Sequence, residues 1–437
     1  MRRKQIILLI ALLISPFIRA QEKVSLGLED AKAYAVQFNK NILNSSLAVQ
    51  KSQEQLRETI AAGLPQMNAT ADYNNALGAE ITFQLDPNGP PAKIPINPTS
   101  TFNLRATQLI FSANYIVGVQ TSKLYEQLMQ TSQLKTEQEI VSQVVSSYYT
   151  VLIADESLKI LYNNVDNLQE IYEKTKPLVE FGVMEKIELD QLSVQVNTLL
   201  NTLKSAERQL EFSKNMLRYQ LGVSSETELE LTDSLDKIME QVSQNAQSDF
   251  FDISENIDFQ LKQAEGEIQK KQVYMQKANY LPTISGYYSY TYKILKPNFD
   301  MSPKNMMGLQ MSVPIFSSGE RRSKVRQANI DIETYNNEKK LLQDQLQLQY
   351  NQLVFNLKNA QENYENQSKN VEVSREVIRQ YRQKFDQGIM SSLELTTADN
   401  NYLKAESDYL QATMQVLQAQ NELDKIKGEL ISTSQQQ

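Results

Sequence analysis

Phe181-Gly182-Val183-Met184-Glu185-Lys186-Ile187-Glu188-Leu189 returns 206 residues later as Gln387-Gly388-Ile389-Met390-Ser391-Ser392-Leu393-Glu394-Leu395. Each copy has Gly, an aliphatic residue and Met, then a carboxylate six residues after the glycine. Leu221-Gly222 returns as Lys427-Gly428 at the same offset, and Gln108-Leu109-Ile110-Phe111-Ser112 as Val313-Pro314-Ile315-Phe316-Ser317 at 205. Ala62-Gly63-Leu64-Pro65 returns as Asn279-Tyr280-Leu281-Pro282 at 217, so the first copy has the longer loop between its first two landmarks. Internal repetition at a fixed spacing marks a duplicated architecture. We divide the chain into residues 21–233 and 234–437, after a leader at 1–20.

The sequence on either side of each glycine reads as helix. Between Gly319 and Gly388 there is neither Gly nor Pro, a stretch that as helix would extend roughly 100 Å at ~1.5 Å per residue. Leu342, Leu346, Tyr350, Leu353, Leu357, Ala360 and Tyr364, continued by Val371, Ile378 and Phe385, form a seam with a mean period near 3.5, the left-handed coiled-coil value. Val144, Tyr148, Val151, Leu158 and Val165 give the same steps in the first copy. Long helices are expected at about 113–178 and 319–386, and return helices at about 183–222 and 390–428. Gly182 and Gly388 supply the left-handed backbone of a helix end. Pro177, where the second copy has Gln383, should end or kink the first long helix near Lys176, making the two tips unlike.

Before each long helix lie two segments with period two. Met67, Ala69, Ala71 and Tyr73 alternate with Asn68, Thr70 and Asp72; Phe102, Leu104 and Ala106 alternate with Asn103, Arg105 and Thr107. In the second copy Ile284, Gly286, Tyr288, Tyr290 and Tyr292 alternate with Thr283, Ser285, Ser289 and Thr291, although Tyr287 breaks the polar side. Met307, Leu309, Met311, Val313 and Ile315 alternate with Gly308, Gln310 and Ser312. Such alternation gives one apolar and one polar face. Strands are expected at about 65–77, 101–112, 281–295 and 306–317. The connection from Gly78 to Ser100 is Pro-rich and reads as a loop.

The N-terminus reads as an export signal. Arg2, Arg3 and Lys4 precede an apolar run from Ile6 to Ile14, Pro16 breaks it, and Ala20 suits cleavage before Gln21. Removing the four cations Arg2, Arg3, Lys4 and Arg19 takes the formal charge from −8 to −12. An acidic exported chain lacks the basic footprint of nucleic-acid binding. His, Cys and Trp are all absent from the 437 residues, which excludes thiol nucleophiles, disulfides, imidazole bases and Cys/His zinc sites. No phosphate loop, nucleophile elbow or metal-ligand cluster appears. Glu188 and Asp190, two apart on a helix, face different ways. The chain reads as no enzyme and as needing no cofactor.

Four strands with free edges cannot stand alone in a membrane. Two chains would supply eight strands and three chains twelve, and a barrel needs more than about eight to leave a channel. Asn68, Thr70, Asp72, Arg105, Thr107, Gln310 and Ser312 suit a wet lumen, and Tyr288, Tyr290 and Tyr292 an interfacial belt. The competing reading is an exported coiled-coil structural or adhesive protein with no channel.

The order helix, Leu-Pro, hairpin, long helix, Gly-containing tip and return helix, given twice over about residues 24–430, resembles the outer membrane efflux protein (TolC) family. The signature lies in Leu64-Pro65, Leu281-Pro282, Ile110-Phe111-Ser112, Pro314-Ile315-Phe316-Ser317-Ser318-Gly319 and the two tips. The resemblance implies a mainly α fold with a β-barrel part: a homotrimer with a 12-stranded barrel in outer-membrane lipid over a coiled-coil periplasmic tunnel. It implies docking to a periplasmic adaptor protein and to an inner-membrane pump or ABC transporter. By the same resemblance Gly182, Val183, Met184, Gly388, Ile389 and Met390 would form the adaptor-docking tips. Glu188 and Glu394 would ring a pore constriction, where like charges favour cations. The family's second acidic ring would fall at Gln191 and Thr397, here uncharged, and its basic gate partner at Met184 or Met390. From the residues alone Glu394 reads two ways, as a pore carboxylate or as the closing member of a Ser391-x-x-Glu394 capping box. Val183, Met184, Ile389 and Met390 read either as an exposed apolar docking patch or as hydrophobic staples onto the return helices.

Overall fold

The computed structural model describes residues 23–84, 89–245, 251–296 and 300–432; the leader expected at 1–20 and its cleavage point lie outside them. The chain divides into two compact units. One takes in the chain up to Ser45, Gln133–Ile257 and the chain from Gln343; the other is Ser46–Ser132 and Asp258–Leu342.

The elements run β1 (Lys23–Leu26), α1 (Leu28–Phe38), α2 (Lys40–Ala61), β2 (Gln66–Asn74), β3 (Glu80–Phe83), β4 (Ala92–Pro95), β5 (Thr99–Ser112), α3 (Ala113–Glu180) and α4 (Lys186–Leu221). After β6 (Glu228–Leu231) and α5 (Leu235–Asn245) the plan repeats with α6 (Ile257–Ala278), β7 (Thr283–Leu295), β8 (Asn305–Ser312), α7 (Glu320–Asp386) and α8 (Ser392–Lys427), then a short α9 (Glu429–Ser432). The paired helices match in length: 22 and 22 residues for α2 and α6, 68 and 67 for α3 and α7, 36 and 36 for α4 and α8.

Three details depart from the sequence reading. Pro177 lies inside α3, which continues to Glu180 rather than stopping near Lys176. A proline in the last turn forfeits one backbone bond, and the amides of Phe181, Gly182 and Val183 still bond back to Pro177, Val179 and Leu178. β8 stops at Ser312, because Pro314 cannot donate to the ladder and Ser318 turns the chain with φ 48°. The Pro-rich connection holds a second hairpin, β3 with β4, pairing Ile81 with Ile94; four-residue strands among prolines leave too short a pattern to read.

In the first unit the seam residues Val144, Tyr148, Val151, Leu346, Tyr350, Leu357, Ala360, Val371, Ile378 and Phe385 are all buried. A parallel pair, β1 with β6, lies in this unit. Tyr148 donates to the Leu26 carbonyl and to Asp233, which also accepts the Leu28 amide at the start of α1. The duplication reaches single hydrogen bonds. Asn39 Nδ2 donates to the Gln220 carbonyl at 2.7 Å, and Asn256 Nδ2 to the Ile426 carbonyl at 2.9 Å. Next to them, a side chain at Gly222 or Gly428 would strike the Phe38 or Glu255 carbonyl.

The second unit is built on one antiparallel sheet, in the order β2-β5-β7-β8. Registry places Met67, Ala106, Tyr288 and Met307 in one cross-strand row, and Ala69, Leu104 and Tyr290 in the next. A shift between Leu109 and Phe111 brings Phe111 opposite Ile284. Such bulges re-aim side chains without breaking the sheet.

Candidate functional site

The sheet sorts its side chains as the alternation requires. On the apolar face Met307 and Leu309 are 83% and 77% exposed, with Met67, Tyr73, Tyr288, Tyr292 and Met311 also open. A monomeric soluble protein rarely leaves so continuous an apolar patch uncovered. On the other face Asn103 donates to Ser289 and Thr291 at 3.1 and 2.9 Å, and the Arg105 guanidinium stands 4.6 Å from the centre of the Tyr287 ring. Tyr287, the residue that broke the alternation, is therefore on the polar face as a platform for a cation. Among the described residues, the outer strands β2 and β8 each pair on one side only.

In the first unit the two tips share one turn. The Val183 amide bonds to the Leu178 carbonyl at 2.8 Å and the Ile389 amide to that of Lys384 at 2.9 Å, across glycines with φ 73° and 72°. This is the Schellman closure of a helix C-terminus, which favours glycine. Val183 and Ile389 are exposed. Met184 and Met390 instead pack on the apolar cluster of Leu192, Leu199, Phe385 and Leu395. Of the six candidate docking residues, only the glycines and the two aliphatic residues are open.

The four constriction candidates fare differently. Glu394 completes its capping box: its carboxylate accepts from the Ser391 amide at 3.1 Å, and Ser391 Oγ accepts from the Glu394 amide at 3.3 Å. It is exposed all the same, so capping and an open carboxylate coexist. Glu188, its counterpart, makes no such box; it accepts a 2.5 Å hydrogen bond from the hydroxyl of buried Ser392, reaching from one tip to the other. Gln191 is exposed, and Thr397 is exposed with its hydroxyl donating to the Leu393 carbonyl. Glu394 and Thr397 line a groove of about 480 Å³ with Val377, Tyr381, Leu393 and Ala398.

Just beyond the tips is a polar link that periodicity reading missed. Asp399, 2% exposed, accepts from Asn164 at 2.9 Å and from Arg382 at 3.2 Å, while Arg382 also donates to Asn167 at 3.0 Å. Burial raises the Asp399 pKa above the usual aspartate value, against the pull of Arg382 and Asn164. Asn164 stands three residues after Leu161 and four before Leu168, and Asp399 four after Leu395. A polar residue at an apolar seam position was the available signal.

A family model described as outer membrane efflux protein matches residues 34–223 and 253–429. The chain belongs to the outer membrane efflux protein family. No curated protein sequence matches it. Among solved structures this efflux-family chain is similar to CusC, known from crystal structures addressing folding and transmembrane channel formation, with 16% identity over 93% of each chain and a TM-score of 0.74. It is similar to the MtrE outer membrane channel of Neisseria gonorrhoeae in its open state, with 15% identity, 94% and 92% of the two chains covered and a TM-score of 0.71. The CmeC outer membrane channel of Campylobacter jejuni gives 15% identity, coverage of 92% and 85%, and 0.71. These likenesses concern the fold: mainly helical, duplicated, with strands in each half. The family is one of channel proteins and places the chain in the outer membrane. Among the described residues no helix is long and apolar enough to cross a membrane. Among those residues, too, no cluster of acidic side chains is placed to hold a metal ion.

Proposed function

We propose that the chain is the outer-membrane channel component of a tripartite efflux pump or type I secretion system: a homotrimer forming a passive exit duct. The four-stranded sheet carries this reading, since it is apolar on one face, polar on the other and unpaired along β2 and β8. Pairing β8 of one copy with β2 of the next satisfies both edges at once. Three copies give twelve strands, where two would give eight and a lumen filled by side chains. A filament would gain nothing from such a sheet.

The tips supply the docking surface. Val183 and Ile389, held out by Gly182 and Gly388, would meet an adaptor, with Met184 and Met390 anchoring the turns from inside. Glu188, Glu394, Gln191 and Thr397 would face the constriction, Glu394 contributing the more open carboxylate. The inner-membrane pump or ABC transporter would select the cargo.

The test is recovery from membranes. A heat-modifiable trimer, insoluble in sarkosyl and conducting in planar bilayers, is expected. A soluble monomer with no conductance would overturn the reading.

A further inference from the structure

On the polar face of the sheet, three residues from three strands meet in one cluster. Tyr287 interrupts the polar alternation of β7, Gly308 stands directly across from it on β8, and Arg105 lies diagonally across on β5. The tyrosine ring lies over the glycine so closely that a Cβ there would come within 2.9–3.0 Å of it. Glycine is thus what lets the ring lie across the sheet. Arg105 is exposed, and its guanidinium sits over that ring. The carboxylate on this face of β2, Asp72, pairs with Thr101, four residues along β5 from Arg105; at ~3.3 Å per residue that is about 13 Å away, beyond a Debye length of ~8 Å at physiological salt. The residue directly opposite Arg105 is the neutral Asn68.

We propose that Arg105, seated on Tyr287 over Gly308, is a fixed cationic station on the duct wall, favouring anionic over cationic solutes where they pass this level of the sheet. The inference rests on the channel reading, which makes the polar face the wet one. In a trimer there are three such cations at one height. Stacking on a ring rather than pairing with a carboxylate leaves the charge uncancelled while restraining the side chain.

The absence of native cysteine allows a direct measurement. Asn68→Cys places a thiol across from Arg105, and its rates of modification by anionic sulfonatoethyl and cationic trimethylammonioethyl methanethiosulfonate report the local potential. In trimers reconstituted in vesicles, adding Arg105→Gln should lower the anion-to-cation rate ratio about fivefold at low ionic strength, as for one unit charge roughly 8 Å away in water. The drop should shrink at 1 M salt, where screening acts within ~3 Å. Arg105→Lys keeps a charge and should keep most of the ratio. An unchanged ratio in Arg105→Gln, with the thiol still reactive, overturns the station alone. A thiol reached by neither reagent means that this face is dry, which overturns the channel reading and the station together.

Discussion

The two tips have the same turn and different fastenings. Each closes through the same pair of backbone bonds around a glycine with φ near 70°. The second copy then starts its return helix with a complete capping box, Ser391 with Glu394. The first copy has Glu185 at that place with no side-chain bond to the helix. Glu188, freed from capping, is bound instead by Ser392. The buried link to Asp399 is one-sided too: the first-copy counterparts of Arg382 and Asp399 are Lys176 and Ser193. Duplication preserved what the backbone requires, and the side chains that fasten the helices diverged. One tip caps itself, and the other depends on its neighbour.

The largest expected effect tests that dependence. Glu188→Ala leaves the buried Ser392 hydroxyl without its charged acceptor, and about 2 kcal/mol of local stability should be lost. Amide exchange at both tips reads this, and a double-mutant cycle with Ser392→Ala should recover most of it as coupling. Additive effects of the two changes would show that the tips are fastened separately.

Gly182→Ala and Gly388→Ala should each cost ~1–2 kcal/mol, because each turn needs a left-handed residue. The expected outcome is equality, read as matching shifts in exchange of the neighbouring amides. A markedly smaller cost at one glycine would break the equivalence of the turns.

Capping comes next. Ser391→Ala should lose about 1 kcal/mol, and Glu185→Ser, which gives the first tip the second tip's cap residue, should gain a smaller amount. Helix-end exchange protection at Lys186–Asp190 checks the gain. Its absence would mean that Glu188 cannot be in two places at once.

Asp399 carries the smallest effect and a definite sign. Its native pKa is raised by burial, so the native state binds this proton more tightly than the unfolded chain does. Wild-type stability from this group is therefore lost as pH rises through the raised pKa. Asp399→Asn has no such dependence. Thermal unfolding between about pH 4 and 7 should show the variant gaining on wild type as pH rises; a gap that stays flat or narrows would contradict the assignment.

The helices and strands were legible because burial writes a period into the chain: seven-residue steps from Val371 through Phe385, two-residue steps from Met67 to Tyr73. Glu394 was legible as a cap because capping is local, spanning three residues. Pairings across 204 residues, such as Glu188 with Ser392, leave no periodic trace, and neither does the bond from Asn164 to Asp399. Tyr287 looked like a lapse in the pattern until registry put it beside Gly308. Pro177 does not end its helix, since a missing donor matters less in a final turn than in mid-helix. Only when the strands were paired did the free edges β2 and β8 become definite.

Asn39 and Asn256 each tie the head of their own copy to its tail, to the carbonyls of Gln220 and Ile426. Each half is thus a closed loop of chain, the first running from Asn39 to Gln220 and the second from Asn256 to Ile426. Such a cassette can be cut from its twin without opening either ring, and a circular permutant beginning at Asp252 would keep every intra-copy fastening.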